Sequence, residues 1–282
     1  MELASLGIRI SRSENLPVLA QSASTVLRLV DDQDAGPRDI EVAIAKDPAI
    51  TAKILKAANS AFYGGVKVPT IGRAVQFLGS NSVRSLVVGI AFQQMTAGKA
   101  EAASFNKMEF WKHCLAVATA ARILARIKVP DKAEELYCAG IMHDVGMLVL
   151  DRFMPVEFQA ALDSCRRMGR PLYQMEKSGF GFDHAEVGGL LGDHWGLPAL
   201  MKNAILHHHN PIADMETAET TRIIASADAI AHRCGFKNCQ DSAPHEFDFD
   251  LAGIVGLSED HLEKVCALVT TEVEMAEAAM QG

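Results

Sequence analysis

Six residues, His113, His143, Asp144, His184, His208 and Asp228, carry the types and spacing that chemistry needs. The adjacent pair His143-Asp144 lies inside Ala139-Gly140-Ile141-Met142-His143-Asp144-Val145-Gly146, on a stripe that reads Leu136, Gly140, His143, Met147, Leu150. That spacing predicts one helix over 132–150 with His143 on its buried face. A buried carboxylate needs a cation beside it. The nearest bases, Lys132 and Arg152, are more than a helical turn away, so a metal ion or a distant side chain must supply the charge. His113 follows Trp111 near the seam Phe110, Cys114, Val117, Ala121, Leu124. His184 aligns with Gly188 and Leu191, and His208 continues the stripe Met201, Ala204/Ile205. Asp228 is the lone charge in Ile223–Ala231. Five helices thus each turn a His or Asp toward apolar surroundings. Neutral imidazoles with carboxylates form a nitrogen–oxygen donor set that suits one or two ions of Fe, Mn, Zn or Ni. A plainer account exists for His207-His208-His209, since positive charge at a helix C-terminus is favourable without a metal. Asp183 reads as a helix cap, and His194, His232, His245 and His261 read as surface or capping residues.

The elements that must position these groups read as helices. Asp39–Ala45 and Pro48–Ala58 are split at Asp47-Pro48, because the residue before proline leaves the helical region and proline suits a first turn. Tyr63-Gly64-Gly65 is a turn. Ile71, Val75 and Leu78 form a stripe that Gly79 ends, and Val83, Leu86/Val87 and Ile90 begin another. Gly98–Ser104 reads as a linker. Helices follow at about 106–127, 132–150 and 156–169. A capping-box helix runs from His184 to Gly196, another begins at Pro198 and runs into the three histidines, and one spans about 219–234. Residues 236–257 are loop-like, and Ser258 caps a final helix carrying Leu262, Cys266, Val269, Val273 and Ala276.

Several segments together resemble the HDOD family of bacterial signalling proteins, relatives of the HD superfamily of metal-dependent phosphohydrolases. They are Leu16-Pro17-Val18-Leu19, Lys46-Asp47-Pro48-Ala49-Ile50-Thr51, Ala57-Ala58-Asn59-Ser60-Ala61-Phe62-Tyr63-Gly64 and Ile71-Gly72-Arg73-Ala74-Val75-Gln76-Phe77-Leu78-Gly79. His184-Ala185-Glu186-Val187-Gly188 and Trp195-Gly196-Leu197-Pro198 extend the likeness to about residues 15–233. The resemblance implies an all-α fold: an N-terminal helical lobe (1–98) packed on an HD-like lobe (99–235), followed by an acidic loop and C-terminal helix (236–282). It implies a metal site at His113, His143, Asp144, His184, His208, His209 and Asp228. It also implies a regulatory role, since members of this family usually show no catalysis. The sequence departs from the hydrolase pattern in three places. Met147 stands where a lysine is common, Asn210 stands where an acid follows the histidine pair, and the Gly-Tyr-Pro loop of the cyclic-dinucleotide branch is absent.

Three functions compete. A regulatory module would act through a signalling protein partner or a phosphorylated or nucleotide ligand. A phosphohydrolase would use Asp144 with activated water. Nucleic-acid binding through helix-turn-helix-like pairs in the first lobe is disfavoured, because Arg73 and Arg84 are the only bases between Thr70 and Phe92. There Asn59-Ser60 is expected to satisfy backbone groups at a helix end. The 282 residues are 49% hydrophobic and 22% charged, which excludes a disordered or fibrous chain. The net charge of −8 belongs to the end of the chain, where residues 240–282 carry ten acids against Lys264 alone. That face is expected to be solvated. The longest uncharged run, Ser85–Gly98, has 14 residues, and a span needs about 20 apolar ones, so no membrane is expected. No signal peptide is visible and the six cysteines form no CxxC pair, which points to reduced thiols in the cytoplasm. A homodimer through the C-terminal helix is compatible with this pattern.

Overall fold

A computed structural model describes residues 2–12, 20–29, 36–59, 67–238, 256 and 258–281. Its elements are helices, with no strand among the described residues. The first six are α1 (Leu3–Arg12), α2 (Gln21–Arg28), α3 (Pro37–Ala45), α4 (Pro48–Ala58), α5 (Ile71–Leu78) and α6 (Ser80–Met95). Then come α7 (Lys107–Lys128), α8 (Ala133–Met142), α9 (Gly146–Phe153), α10 (Pro155–Met168) and α11 (Leu172–Phe180). The last are α12 (His184–Trp195), α13 (Ala199–His207), α14 (Ala218–Arg233) and α15 (Glu259–Gln281). The Leu16–Leu19 segment, the Ser60–Gly65 turn, Cys239, His245 and most of the loop 236–257 lie outside the described residues.

Local chemistry sets the helix ends. Asp47 Oδ1 accepts from the Ile50 amide at 3.0 Å while Pro48 occupies the first turn of α4, whose buried face is Ile50, Ile54 and Ala58. Asn59 closes that helix as expected. Its amide group donates to the Leu55 and Val68 carbonyls at 2.6 and 2.9 Å, and its oxygen accepts from the Val68 amide at 2.7 Å. Gly79, with φ of 85°, joins α5 directly to α6 across a bend of 119°. Arg73 reaches Gln76, and Arg84 reaches Asn81 and the Leu29 carbonyl, so the one base of α5 and the one base of α6 both make contacts within the protein. No single described helix is long and apolar enough to cross a membrane.

α7 is the axis of the second half, capped by Asn106 and packed against α8, α14 and α15. Gly140 lets α8 approach it closely, since a Cβ there would sit 2.8 Å from the Ala118 Cα. The linker 98–104 is pinned rather than loose: Asp151 Oδ1 accepts from the amides of Glu101 and Ala102, and Gln159 holds Ser104. Three expectations change. The helix expected over 132–150 is two helices, because His143, Asp144 and Val145 form a tight turn with i→i−3 hydrogen bonds. α11 fills a stretch where no helix was foreseen. Cys234 and Cys266 are disulfide-bonded, tying α14 to α15, while Cys114, Cys138 and Cys165 are buried thiols outside any disulfide. The acidic face of α15 is also partly used internally, with Glu272 2.6 Å from Arg122 and Glu277 3.1 Å from Lys112.

Candidate metal centre

α7 supplies His113, the α8–α9 turn His143 and Asp144, α12 His184, the end of α13 His208 and His209, and α14 Asp228. All seven expected residues converge. They fall into two groups, His113, His143 and Asp228 on one side and Asp144, His184, His208 and His209 on the other, each with donor atoms within 4.8 Å of one another. Asp144 joins the groups. Its Oδ2 lies 3.3 Å from His143 Nε2 and 3.5 Å from His113 Nε2, while Oδ1 lies 3.0 Å from His184 Nε2 and 3.3 Å from His208 Nε2. Six of the seven are at most 1% exposed, and only His209 reaches partial exposure.

The other ring nitrogens determine what these donors can do. His143 Nδ1 donates to the Gly140 carbonyl at 2.8 Å, His208 Nδ1 to Ile205 at 2.7 Å and His113 Nδ1 to Phe236 at 3.1 Å. His184 Nδ1 donates to Glu176 Oε2 at 2.6 Å. A proton held at Nδ1 leaves the Nε2 lone pair pointing inward, the tautomer that metal-binding histidines adopt. Lone pairs then face each other where His113 Nε2 meets His143 Nε2 at 3.3 Å, and His184 Nε2 stands 2.8 Å from His209 Nε2. Asp144 Oδ1 and His208 Nε2 are buried and make no hydrogen bond. Such an arrangement calls for cations between the donors. Donors about 2.0–2.2 Å from a common ion stand about 3.3–3.6 Å apart at tetrahedral angles and about 2.8–3.1 Å apart at octahedral ones. The observed separations match these edges, so the residues present fit divalent metal.

The electrostatics agree. Burial opposes a charge on His113, yet Asp144 and Asp228 outweigh it and push its pKa up to about 10. Burial also opposes the Asp144 carboxylate, but His143, His184 and His113 hold its pKa well below the usual range. Burial dominates at His143 and lowers it. At His184 burial is again outweighed, by Glu176 and Asp144, and the pKa rises well above normal. A cluster that binds protons this tightly also attracts metal cations, which replace those protons.

Sequence reasoning missed three members. Glu176 of α11 is fully buried and holds both the ring and the backbone amide of His184, the latter at 2.9 Å. Its position after Leu172 and Met175 on an apolar face was the available signal. Asn238 donates to Asp144 Oδ2 at 2.9 Å. His232, expected at the surface, is buried with Nε2 3.4 Å from Asp228 Oδ1, one helical turn away. The other assignments hold where they can be seen: His194 is exposed, His261 meets Ser258 Oγ at the start of α15, and Asp183 caps α12.

Known proteins share this architecture. An HDOD domain protein of unknown function from Geobacter sulfurreducens superposes with a TM-score of 0.76 at 23% identity, covering 98% of this chain and 96% of that one. A candidate phosphohydrolase from Shewanella amazonensis gives 0.72 at 25% identity, with 97% of each chain covered. An uncharacterized protein of Treponema pallidum is 24% identical over 203 residues, which are 71% of this chain and 38% of that relative. The chain therefore spans less than half the length of this curated relative. The HDOD domain family model matches residues 16–211, which hold six of the seven convergent donors and the turn that presents Asp144, and the chain belongs to the HDOD family.

Proposed function

We propose that this chain is a bacterial regulatory protein of signal transduction whose HD-like site is a buried dinuclear metal centre with a structural or sensing role. The observation that carries this reading is enclosure. Six donors are at most 1% exposed, and on the His113 side the segment after α14 lies across them, with the Phe236 carbonyl on His113 and the Asn238 amide on Asp144. Met147, where a phosphate-binding lysine would be useful, is itself buried. His113, His143 and Asp228 would hold one ion, His184, His208 and His209 the other, and Asp144 would serve both. Bound there, divalent metal supplies the positive charge that reconciles the facing lone pairs, and Lewis acidity toward a phosphoryl oxygen. The regulatory reading carries with it a signalling protein as partner.

The test is metal analysis of the purified chain followed by phosphodiester and phosphomonoester assays with Mn or Fe added. One to two equivalents of metal without turnover supports the proposal. Turnover that disappears in a folded Asp144→Ala variant overturns it. Such turnover would establish the second reading, a metal-dependent phosphohydrolase, which the complete donor set and the likeness to the Shewanella amazonensis protein favour. On that reading the 236–238 segment must withdraw before substrate enters, so Asn238→Gly would raise the rate.

A further inference from the structure

Cys234 ends α14, and its bond to Cys266 of α15 stands beside the metal centre rather than at a remote edge of the fold. Residues 235–238 run from it across the His113 side of the donors. The Phe236 carbonyl accepts from His113 Nδ1 at 3.1 Å, and Asn238 donates to Asp144 Oδ2 at 2.9 Å. The turn out of α14 is fixed by Gly235, whose φ is 90°, and by the Phe236 amide, which donates to the Ala231 carbonyl at 2.9 Å. Segment 235–238 is therefore a short strap, with a disulfide cysteine at one end and the carboxylate shared by both metal sites at the other.

α15 is the platform to which the strap is tied. It packs against α7 and α14 and buries Leu262, Val265, Val269 and Val273, each at most 5% exposed. Glu272 and Glu277 add ion pairs to Arg122 and Lys112 of α7, the helix that carries His113. None of these contacts involves the disulfide. Cys234 and Cys266 are 32 residues apart, so once the bond is cut the strap is joined to α15 only through that length of chain. A cross-link across such a span restrains its ends far more than the chain does. Both cysteines lie at partly exposed positions, whereas Cys114, Cys138 and Cys165 are buried, which directs thiol–disulfide exchange from solution to this pair.

We propose that Cys234 and Cys266 form a redox switch: their bond holds strap 235–238 over the His113 side of the donor cluster, and reduction by a dithiol lets the strap lift. The proposal deepens the sensing role given above and rests on it for what the strap guards. In the exchange, one thiolate of the dithiol attacks a sulfur of the pair, and the S–S bond breaks to leave a mixed disulfide and one cysteine thiol. The second thiol of the reductant then displaces the other cysteine. Two S–H bonds form at Cys234 and Cys266, the two electrons and two protons come from the dithiol, and the dithiol leaves as its own disulfide. A disulfide oxidant reverses each step. In compartments that keep thiols reduced, a bond of this kind is usually transient and redox-sensing.

The experiment compares the full chain oxidised with a disulfide reagent and reduced with dithiothreitol, each reagent being removed without oxygen. Peptide mass mapping under non-reducing conditions locates the bond. Amide hydrogen exchange is followed at 235–238 in the metal-free chain and again after loading with Mn, whose release to a chromophoric chelator is timed. The expected results are a Cys234–Cys266 link in the oxidised chain and exchange at 235–238 about tenfold or more faster after reduction, with α8 unchanged. Mn release should accelerate by a similar factor. Cys266→Ser, on α15 and outside the donor set, should behave as the reduced chain under both treatments; the wild-type comparison stands without it if the variant fails to fold. Four results overturn the proposal: a bond between any other cysteines, equal exchange in the two states, acceleration spread evenly over the chain, or a dithiol response that persists in Cys266→Ser. A chain that takes up no Mn yet frees 235–238 on reduction supports the switch and refutes the metal-centre reading instead.

Discussion

Glu176→Gln tests how the second half of the metal centre is held. The carboxylate accepts two hydrogen bonds on one oxygen, from the His184 ring at 2.6 Å and the His184 backbone at 2.9 Å, in a fully buried position. Glutamine keeps the volume and one acceptor but removes the charge. Hydrogen bonds to charged groups contribute about 1.5–3 kcal/mol and neutral ones about 0.5–1.5, so each bond weakens by about 1–1.5 kcal/mol. The bond to the backbone acts on folding, whereas the bond to Nδ1 sets the basicity and orientation of Nε2. The first therefore appears as a loss of about 1 kcal/mol, a few degrees in melting temperature. The second appears as a tenfold to hundredfold loss of metal affinity, the usual consequence of removing such a support. The assay is competition for metal against a chromophoric chelator, with thermal unfolding measured on the same samples. The ion held by His184, His208 and His209 should weaken, and the one held by His113, His143 and Asp228 should weaken far less. Unchanged affinity at both positions would refute the reasoning, and so would equal loss at both.

Three further outcomes follow from the same geometry. Once metal is removed by chelation, the His113 proton stabilises the fold, because its pKa rises from 6.5 to about 10. That contribution is full below pH 6.5 and is lost as pH climbs toward 10; metal-loaded protein, whose ligand imidazoles carry no proton in either the folded or the unfolded state above about pH 7, should stay level over the same range, so urea unfolding should show falling stability for the metal-free protein alone, and parallel slopes would contradict the assignment. Gly146→Ala drives a Cβ into the His184 carbonyl and should cost about 1–3 kcal/mol or more in chemical denaturation, so a neutral substitution would show that α9 and α12 can part freely. Asp214 is held at a pKa of about 2: burial opposes its charge, but the Thr217 amide, the hydroxyls of Thr221 and Thr217 and the Glu216 amide outweigh it. Its stabilising contribution, about 2 kcal/mol, is present above about pH 4 and disappears as pH falls toward 2, so Asp214→Asn should flatten acid unfolding in that window.

The parts of the site that were legible in the sequence are those on long amphipathic helices. Asp228 and His113 stand out because an apolar stripe makes a single polar residue conspicuous. Helix ends were equally readable where one residue sets them, as at Pro48, Gly79, Gly169 and Gly196. Glu176 was hidden because α11 is short and its acid looks like any surface glutamate until the partner from α12 is placed beside it. Asn238 was hidden because it reaches Asp144 from 94 positions away, and no local pattern encodes that meeting. His232 was readable but not read: it follows Asp228 by four residues and therefore shares its face. The Cys234–Cys266 bond joins cysteines 32 residues apart, a spacing that says nothing until α14 and α15 are seen side by side.

The broken helix is the most informative of these differences, because the break is what lets one carboxylate serve two groups. In an uninterrupted helix, neighbouring side chains point about 100° apart and do not face each other. At the 143–145 turn, His143 Nε2 and Asp144 Oδ2 stand 3.3 Å apart, and the opposite oxygen of Asp144 still reaches His184 and His208. The turn keeps its backbone satisfied through the bonds from Val145 to Met142, Met147 to Asp144 and Leu148 to Val145. Immediately afterwards Gly146 admits the His184 carbonyl where a side chain would have blocked it. A glycine two residues after the aspartate is therefore a condition of the site's assembly: it draws α12 close enough for His184 to meet Asp144. The continuous apolar stripe through 136–150 conceals this, since both sides of the break bury the same face against the same core.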